Sequence, residues 1–139
     1  MPRRPSKLLI GTSLAALAVA IPVSGLAASG GGGTSKVDMR EWSIAPKPTH
    51  ATAGKITFVV HNAGKARHEF VVIRTDVAPG KLKVTKGRAS EKGHVGEIGS
   101  LPPGSTKRLV LTLAKGRYVL FCNFSGHYSA GQHAGFVVR

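Results

Sequence analysis

The residues able to do chemistry gather near the C-terminus, in Tyr118-Val-Leu-Phe-Cys122-Asn-Phe-Ser-Gly-His127-Tyr-Ser-Ala-Gly-Gln132. Cys122 is the only cysteine of the 139 residues, which excludes an internal disulfide and any multi-cysteine zinc or iron-sulfur site. Four residues separate it from His127, so the end of a strand and the glycine-bearing loop after it can wrap one ion between a thiolate and an imidazole. That donor pair suits copper or zinc. A second imidazole has to come from elsewhere. His68 is the candidate, because it opens the run His68-Glu-Phe-Val-Val72 just after the turn Asn62-Ala63-Gly64. His50, His61 and His94 have no partner at metal spacing and read as surface or packing residues. The competing reading of Cys122 is a buried structural thiol, the usual fate of a lone cysteine in an apolar strand. The Gly-His loop and the upstream His68 argue against it.

The elements that must position these residues are strands. Runs of β-formers recur between Gly/Pro punctuation at Val37 to Ile44, Lys55 to Asn62, Glu69 to Thr75, Lys107 to Leu113, Arg117 to Phe124 and Ala134 to Arg139, and no stretch keeps a helical period. Leu109, Leu111 and Leu113 alternate with Arg108, Val110 and Thr112, giving one buried and one wetter face. Turns at Ala53-Gly54, Asn62-Ala63-Gly64, Pro102-Pro103-Gly104 and Lys115-Gly116 predict an all-β chain folded as an antiparallel β-sandwich. Asp76 to Ser100 is weakly periodic and carries Lys81, Lys83, Lys86, Arg88 and Lys92. It reads as a long surface excursion, either a basic docking surface or a solvated loop.

Residues 1–27 read as a signal peptide. Arg3, Arg4 and Lys7 precede an apolar run from Leu8 to Val23, then small residues through Ala27. The run is short for a membrane anchor and is diluted by Gly11, Thr12, Ser13 and Pro22. Arg3-Arg4 leaves general and twin-arginine export both open. Residues 28–36 read as a Gly-rich linker, and residues 37–139 as the folded domain. Its location is then extracytoplasmic, in a periplasm or secreted. The formal charge of +14 falls to +11 once Arg3, Arg4 and Lys7 are removed, so the basic excess belongs to the domain.

The segment Asn62-Ala-Gly-Lys-Ala-Arg-His68-Glu-Phe, the loop from Cys122 to Gln132, and the turn Leu113-Ala-Lys-Gly116-Arg-Tyr118 resemble the cupredoxins, the blue-copper domains that include plastocyanin, azurin and auracyanin. The resemblance spans most of the chain after the signal peptide. It implies a Greek-key β-sandwich, a tyrosine corner at Tyr118, and one copper ion, Cu(I) or Cu(II), held by His68, Cys122 and His127. Gln132 stands at the axial position, where most relatives have Met and stellacyanin-like members have Gln. The alternatives are a loop amide that leaves a backbone carbonyl or nothing axial. His133 reads as a surface histidine near the site. Glu69 stands where many members have an Asn that braces the two ligand-bearing segments.

A His-His-Cys site with a weak axial ligand lets both copper oxidation states share nearly one geometry. The expected function is therefore an exported, monomeric one-electron carrier and not an enzyme. Cys122 offers an exit through its strand, and His127 a short path to a partner. The competing function is copper sequestration or delivery without redox turnover, against which Met usage speaks: only Met1 and Met39 occur. A multicopper oxidase or nitrite reductase needs further copper sites, and a polysaccharide monooxygenase needs histidine where Ala28 stands. The basic charge points to a redox partner with an acidic surface or to an anionic membrane surface. Without a base-stacking aromatic array, nucleic acid is not an expected partner.

Overall fold

Alternation of buried and exposed residues marks several strands of the computed structural model, which describes residues 30–139. The strands are β1 (Gly32–Arg40), β2 (Ser43–Lys47), β3 (His50–Ala51), β4 (Gly54–Asn62), β5 (His68–Arg74), β6 (Val84–Thr85), β7 (Arg88–Ala89), β8 (His94–Leu101), β9 (Thr106–Leu113), β10 (Gly116–Phe121) and β11 (His133–Val138). No helix occurs among the described residues. One sheet has the order β2-β1-β4-β9, and the other β3-β11-β10-β5-β8.

Alternation decides which side chains meet between the sheets. Val37, Met39, Ile56, Phe58 and Val60 point inward from the first sheet to meet Phe70, Val72, Tyr118, Leu120 and Phe136 of the second. Phe58 is the hinge of this core, its ring 5.5 Å from Phe70 and 5.1 Å from Phe136, centre to centre. Tyr118 Oη donates to the Ala114 carbonyl at 2.8 Å, the corner expected from the Leu113 to Tyr118 turn, and so fixes where β10 begins on its way to Cys122.

The sandwich is not wholly antiparallel. β1 runs parallel to β4, and β11 parallel to β3. The chain leaves β1, turns back through β2, joins the opposite sheet at β3 and returns as β4. Such a crossover of about a dozen residues is what a parallel pair requires. The run read as one strand, Val37 to Ile44, is broken by a turn at Glu41 and Trp42. β1 also begins earlier than expected: Gly32 to Lys36, read as linker, pair with β4. Glycine is needed at Gly32, where φ is +116° and a Cβ would overlap the Lys55 carbonyl. The expected signal peptide lies outside the described residues, as do the first two linker positions.

The largest correction concerns Asp76 to Ser100. β8 pairs with β5 as the edge of the second sheet, and the segment before it covers that sheet's outer face. Leu82, Ala89 and Tyr128 pack there on Val71, Ile73, Val119 and Phe121. β5 is therefore buried on both faces, from His68 through Ile73, which explains its unbroken apolar run.

Candidate metal centre

Three strand ends bring the candidate ligands to one end of the sandwich. His68 is the first residue of β5, Cys122 follows the last residue of β10, and Gln132 precedes β11. Phe121 pairs with His133, and the Cys122 N–H donates to the Gln132 carbonyl at 3.1 Å. The nine residues between Cys122 and Gln132 close on themselves, with the Ala130 N–H donating to Gly126 and the Gln132 N–H to His127. This curl turns His127 back over the thiol. Gly126, with φ +84° and open space where a Cβ would stand, permits the reversal.

The donor atoms of His68, Cys122 and His127 all lie within 4.8 Å of one another. Cys122 Sγ is 3.9 Å from His68 Nδ1 and 3.4 Å from His127 Nδ1, and the two Nδ1 atoms are 3.3 Å apart. Gln132 Oε1 is 3.2 Å from His127 Nδ1. Its orientation is set from the other end of the amide, where Nε2 donates to the Arg40 carbonyl at 2.8 Å and leaves the oxygen facing the site. One thiol and two imidazole nitrogens thus converge, a set that fits a single copper ion, with the Gln132 amide oxygen beside His127. His68, Cys122 and His127 form a candidate copper site.

His68, Cys122 and Gln132 are fully buried, and only His127 is partly open to solvent. Burial pushes the Cys122 thiol up, although the Glu69 and Phe124 backbone groups partly oppose this; the Glu69 N–H lies 3.4 Å from the sulfur. A metal must therefore displace the thiol proton on binding. Burial lowers His68 below its ordinary value, which keeps the ring neutral. Its Nε2 lies 3.2 Å from the Glu41 carboxylate. A carboxylate can only accept, so Nε2 carries the proton and Nδ1 presents its lone pair to the site.

Several contributors were not legible in the sequence. Glu41 reaches His68 from the β1–β2 turn. Trp42, half-exposed, sets its ring edge-on to His127 with centroids 5.0 Å apart, and Phe124 flanks the same imidazole at 5.7 Å. Asn62 fixes the loop before His68: its Nδ2 donates to the Ala66 and Leu101 carbonyls, both at 2.8 Å, and its Oδ1 accepts from the Gly64 N–H at 2.9 Å. Glu69 stands where many family members have a bracing Asn, and the amide next to the other ligand segment ties elsewhere. Asn123, next to Cys122, exchanges two hydrogen bonds with the Ala89 backbone, at 2.7 and 3.0 Å. Glu69 instead buries a carboxyl whose Oε1 makes no hydrogen bond, with Arg88 3.6 Å away; burial raises its pKa against the pull of that guanidinium.

The remaining histidines stay out of the site. His133 was expected at the surface, but its ring is half-buried against Tyr128, with centroids 5.0 Å apart, because its backbone belongs to β11. His61 Nδ1 meets Thr106 Oγ1 at 2.9 Å. His94, expected without a partner, comes together with Glu91 and Glu97 in an exposed cluster, where it pairs with Glu97 at 3.4 Å.

The sequence matches a family model described as a cupredoxin-like domain over residues 13–133. No curated protein matches it. Among solved structures, auracyanin from Roseiflexus castenholzii is similar with a TM-score of 0.57 and 17% identity, covering 77% of this chain and 96% of its own. Auracyanin A from Chloroflexus aurantiacus, a "blue" copper protein, has the same TM-score and identity over 78% of this chain and 100% of its own. Rusticyanin from Thiobacillus ferrooxidans reaches a TM-score of 0.54 at 17% identity, over 76% of this chain and 77% of its own. At such identities these likenesses speak for the fold. The family match covers most of the sequence, and the chain belongs to the cupredoxin-like domain family.

Proposed function

We propose that this chain is an exported one-electron carrier that holds one copper ion through His68, Cys122 and His127, with the Gln132 amide oxygen as a weak fourth ligand. The observation that carries the reading is the convergence of the His68, Cys122 and His127 donors, with the Gln132 amide oxygen against His127, on buried or half-buried side chains whose backbones are already tied together. Copper, when bound, supplies a one-electron couple whose two states tolerate one geometry. The protein holds that geometry in advance. Asn62 and Glu41 fix His68, the strand pairing of β10 and β11 fixes Cys122 and Gln132, and the curled loop fixes His127. Cys122 joins the site to β10 through covalent bonds. His127 is the one ligand that meets solvent, and Trp42 and Phe124 beside it give a partner an apolar contact.

The family resemblance favours a carrier over a catalyst. Sequestration or delivery is less favoured, because Met39, the one methionine after the expected signal peptide, lies in the hydrophobic core and offers no thioether for passing Cu(I). The expected partner is a redox protein with an acidic surface. Arg74, Lys81, Lys83 and Lys92 line one cleft of about 550 Å³, and none of them forms a salt bridge among the described residues. Export rests on the Arg3 to Ala27 segment. A monomer fits the formal +11 charge, which makes like copies repel.

Repeated voltammetric cycling of the copper-loaded protein tests the carrier against the sequestering reading. A carrier gives a reversible one-electron wave and keeps its copper through many cycles. An irreversible wave, or loss of copper on reduction, contradicts the proposal.

A further inference from the structure

Glu41 lies 27 residues before His68, in the turn between β1 and β2. Its carboxylate accepts the Lys65 N–H at 2.9 Å and the Ala66 N–H at 2.6 Å, and takes the His68 Nε2–H at 3.2 Å. Gly64 gives it room, since a Cβ there would come within 2.6 Å of both carboxylate oxygens. Three donors from two residues' backbone and one ring therefore place a single anion at the back of His68. The opposite ring nitrogen, Nδ1, faces Cys122 and His127.

We propose that Glu41 is a positioning residue for the copper centre: it fixes His68 as the Nε2–H tautomer with Nδ1 directed at the metal, and its negative charge, one imidazole ring away, favours Cu(II) over Cu(I). The inference rests on the copper reading above. The physical argument has two parts. A carboxylate accepting from a ligating histidine orients the ring and raises its basicity. A fixed negative charge also stabilises the more positive of two metal states, and here it acts across a ring that is fully buried. The backbone donors keep the charge in place at the protein's edge, where an untethered glutamate would swing into water.

The test compares Glu41→Gln with Glu41→Ala. Gln keeps the shape and an oxygen that can accept from Lys65 and Ala66, but removes the charge. In Glu41→Gln, Cu(II) affinity by competitive chelation should fall about tenfold, within the range for such partners, while Cu(I) affinity stays nearly constant. A tenfold change in that ratio is about a 59 mV rise in potential. The copper-free protein gives a second readout: nitrogen chemical shifts of the His68 ring should report the Nε2–H tautomer in the wild type and a tautomer mixture in Glu41→Ala. Equal losses of Cu(I) and Cu(II) affinity in Glu41→Gln would reduce Glu41 to a structural anchor and overturn the charge argument. An Nδ1–H tautomer in the wild-type copper-free protein would overturn the positioning argument, whatever metal the site takes. If the wild type shows no thiolate-to-Cu(II) band, the copper reading fails instead, and the tautomer measurement still judges Glu41.

Discussion

Asn62→Ala should destabilise the domain by about 3 kcal/mol, far more than its modest change in volume suggests. Asn62 is fully buried at the end of β4, and its side chain makes three hydrogen bonds, to Ala66, Leu101 and Gly64. Leu101 is itself fully buried, so alanine removes from its carbonyl a hydrogen bond that water cannot replace there, at a cost of about 1–3 kcal/mol. The other two bonds contribute about 1 kcal/mol each, partly recovered by solvent because the loop they bind is only half-buried. The assay is equilibrium urea unfolding of the metal-free protein, where the midpoint should fall with an unchanged slope. For a domain of this size the thermal midpoint should drop by roughly 12 °C. Asn62→Asp should do no better, since it sets a carboxylate against two carbonyl oxygens. A loss below about 1 kcal/mol for Asn62→Ala would refute the claim that this amide anchors the segment delivering His68.

Gln132→Met should raise the copper potential, because a thioether supports Cu(II) less well than an amide oxygen; a change of about 2 kcal/mol in that preference is on the order of 100 mV. Voltammetry of both proteins at one pH decides, and an unchanged potential would mean that the Gln132 side chain does not coordinate. Asn123→Ala should loosen the β6–β7 hairpin, since it removes both bonds to Ala89 and one to Glu91; amide exchange at Ala89 should quicken at least tenfold, and unchanged protection would contradict the bracing role. Electron transfer to an acidic partner should slow as salt rises, because screening acts over about 8 Å at physiological ionic strength. A rate indifferent to salt would count against the basic cleft as a docking aid.

Local pattern carried the parts of the site that are local in sequence. Cys122 and His127 fall on one loop, so their spacing placed them together, and the family resemblance added Gln132 at the end of the same loop. β4, β9 and β10 show the alternation or apolar density that an edge or core strand needs, and Tyr118 sits where its corner can form. Other parts depend on tertiary placement. Glu41 and Trp42 read as strand interior, and only the β1–β2 turn brings them against His68 and His127. β8 hid behind Gly96 and Gly99, which lower strand propensity. Gly96 is packed so closely on Leu111 that a Cβ would displace its side-chain methyls, so the residue that obscured the strand also lies against the facing sheet. The run from His68 to Ile73 held a signal that went unread. Six consecutive buried positions require a cover on both faces, and among the described residues the segment 76–93 supplies the second together with Tyr128.

The central claim is tested most directly by one titration: Cu(II) added to the metal-free domain, followed by visible absorption and EPR, in wild type and in Cys122→Ser. The account predicts one equivalent bound, an intense thiolate-to-Cu(II) band toward the red end of the visible spectrum with a narrow copper hyperfine splitting, and complete loss of the band in Cys122→Ser. A colourless wild-type complex, or a band that survives the serine substitution, would contradict it.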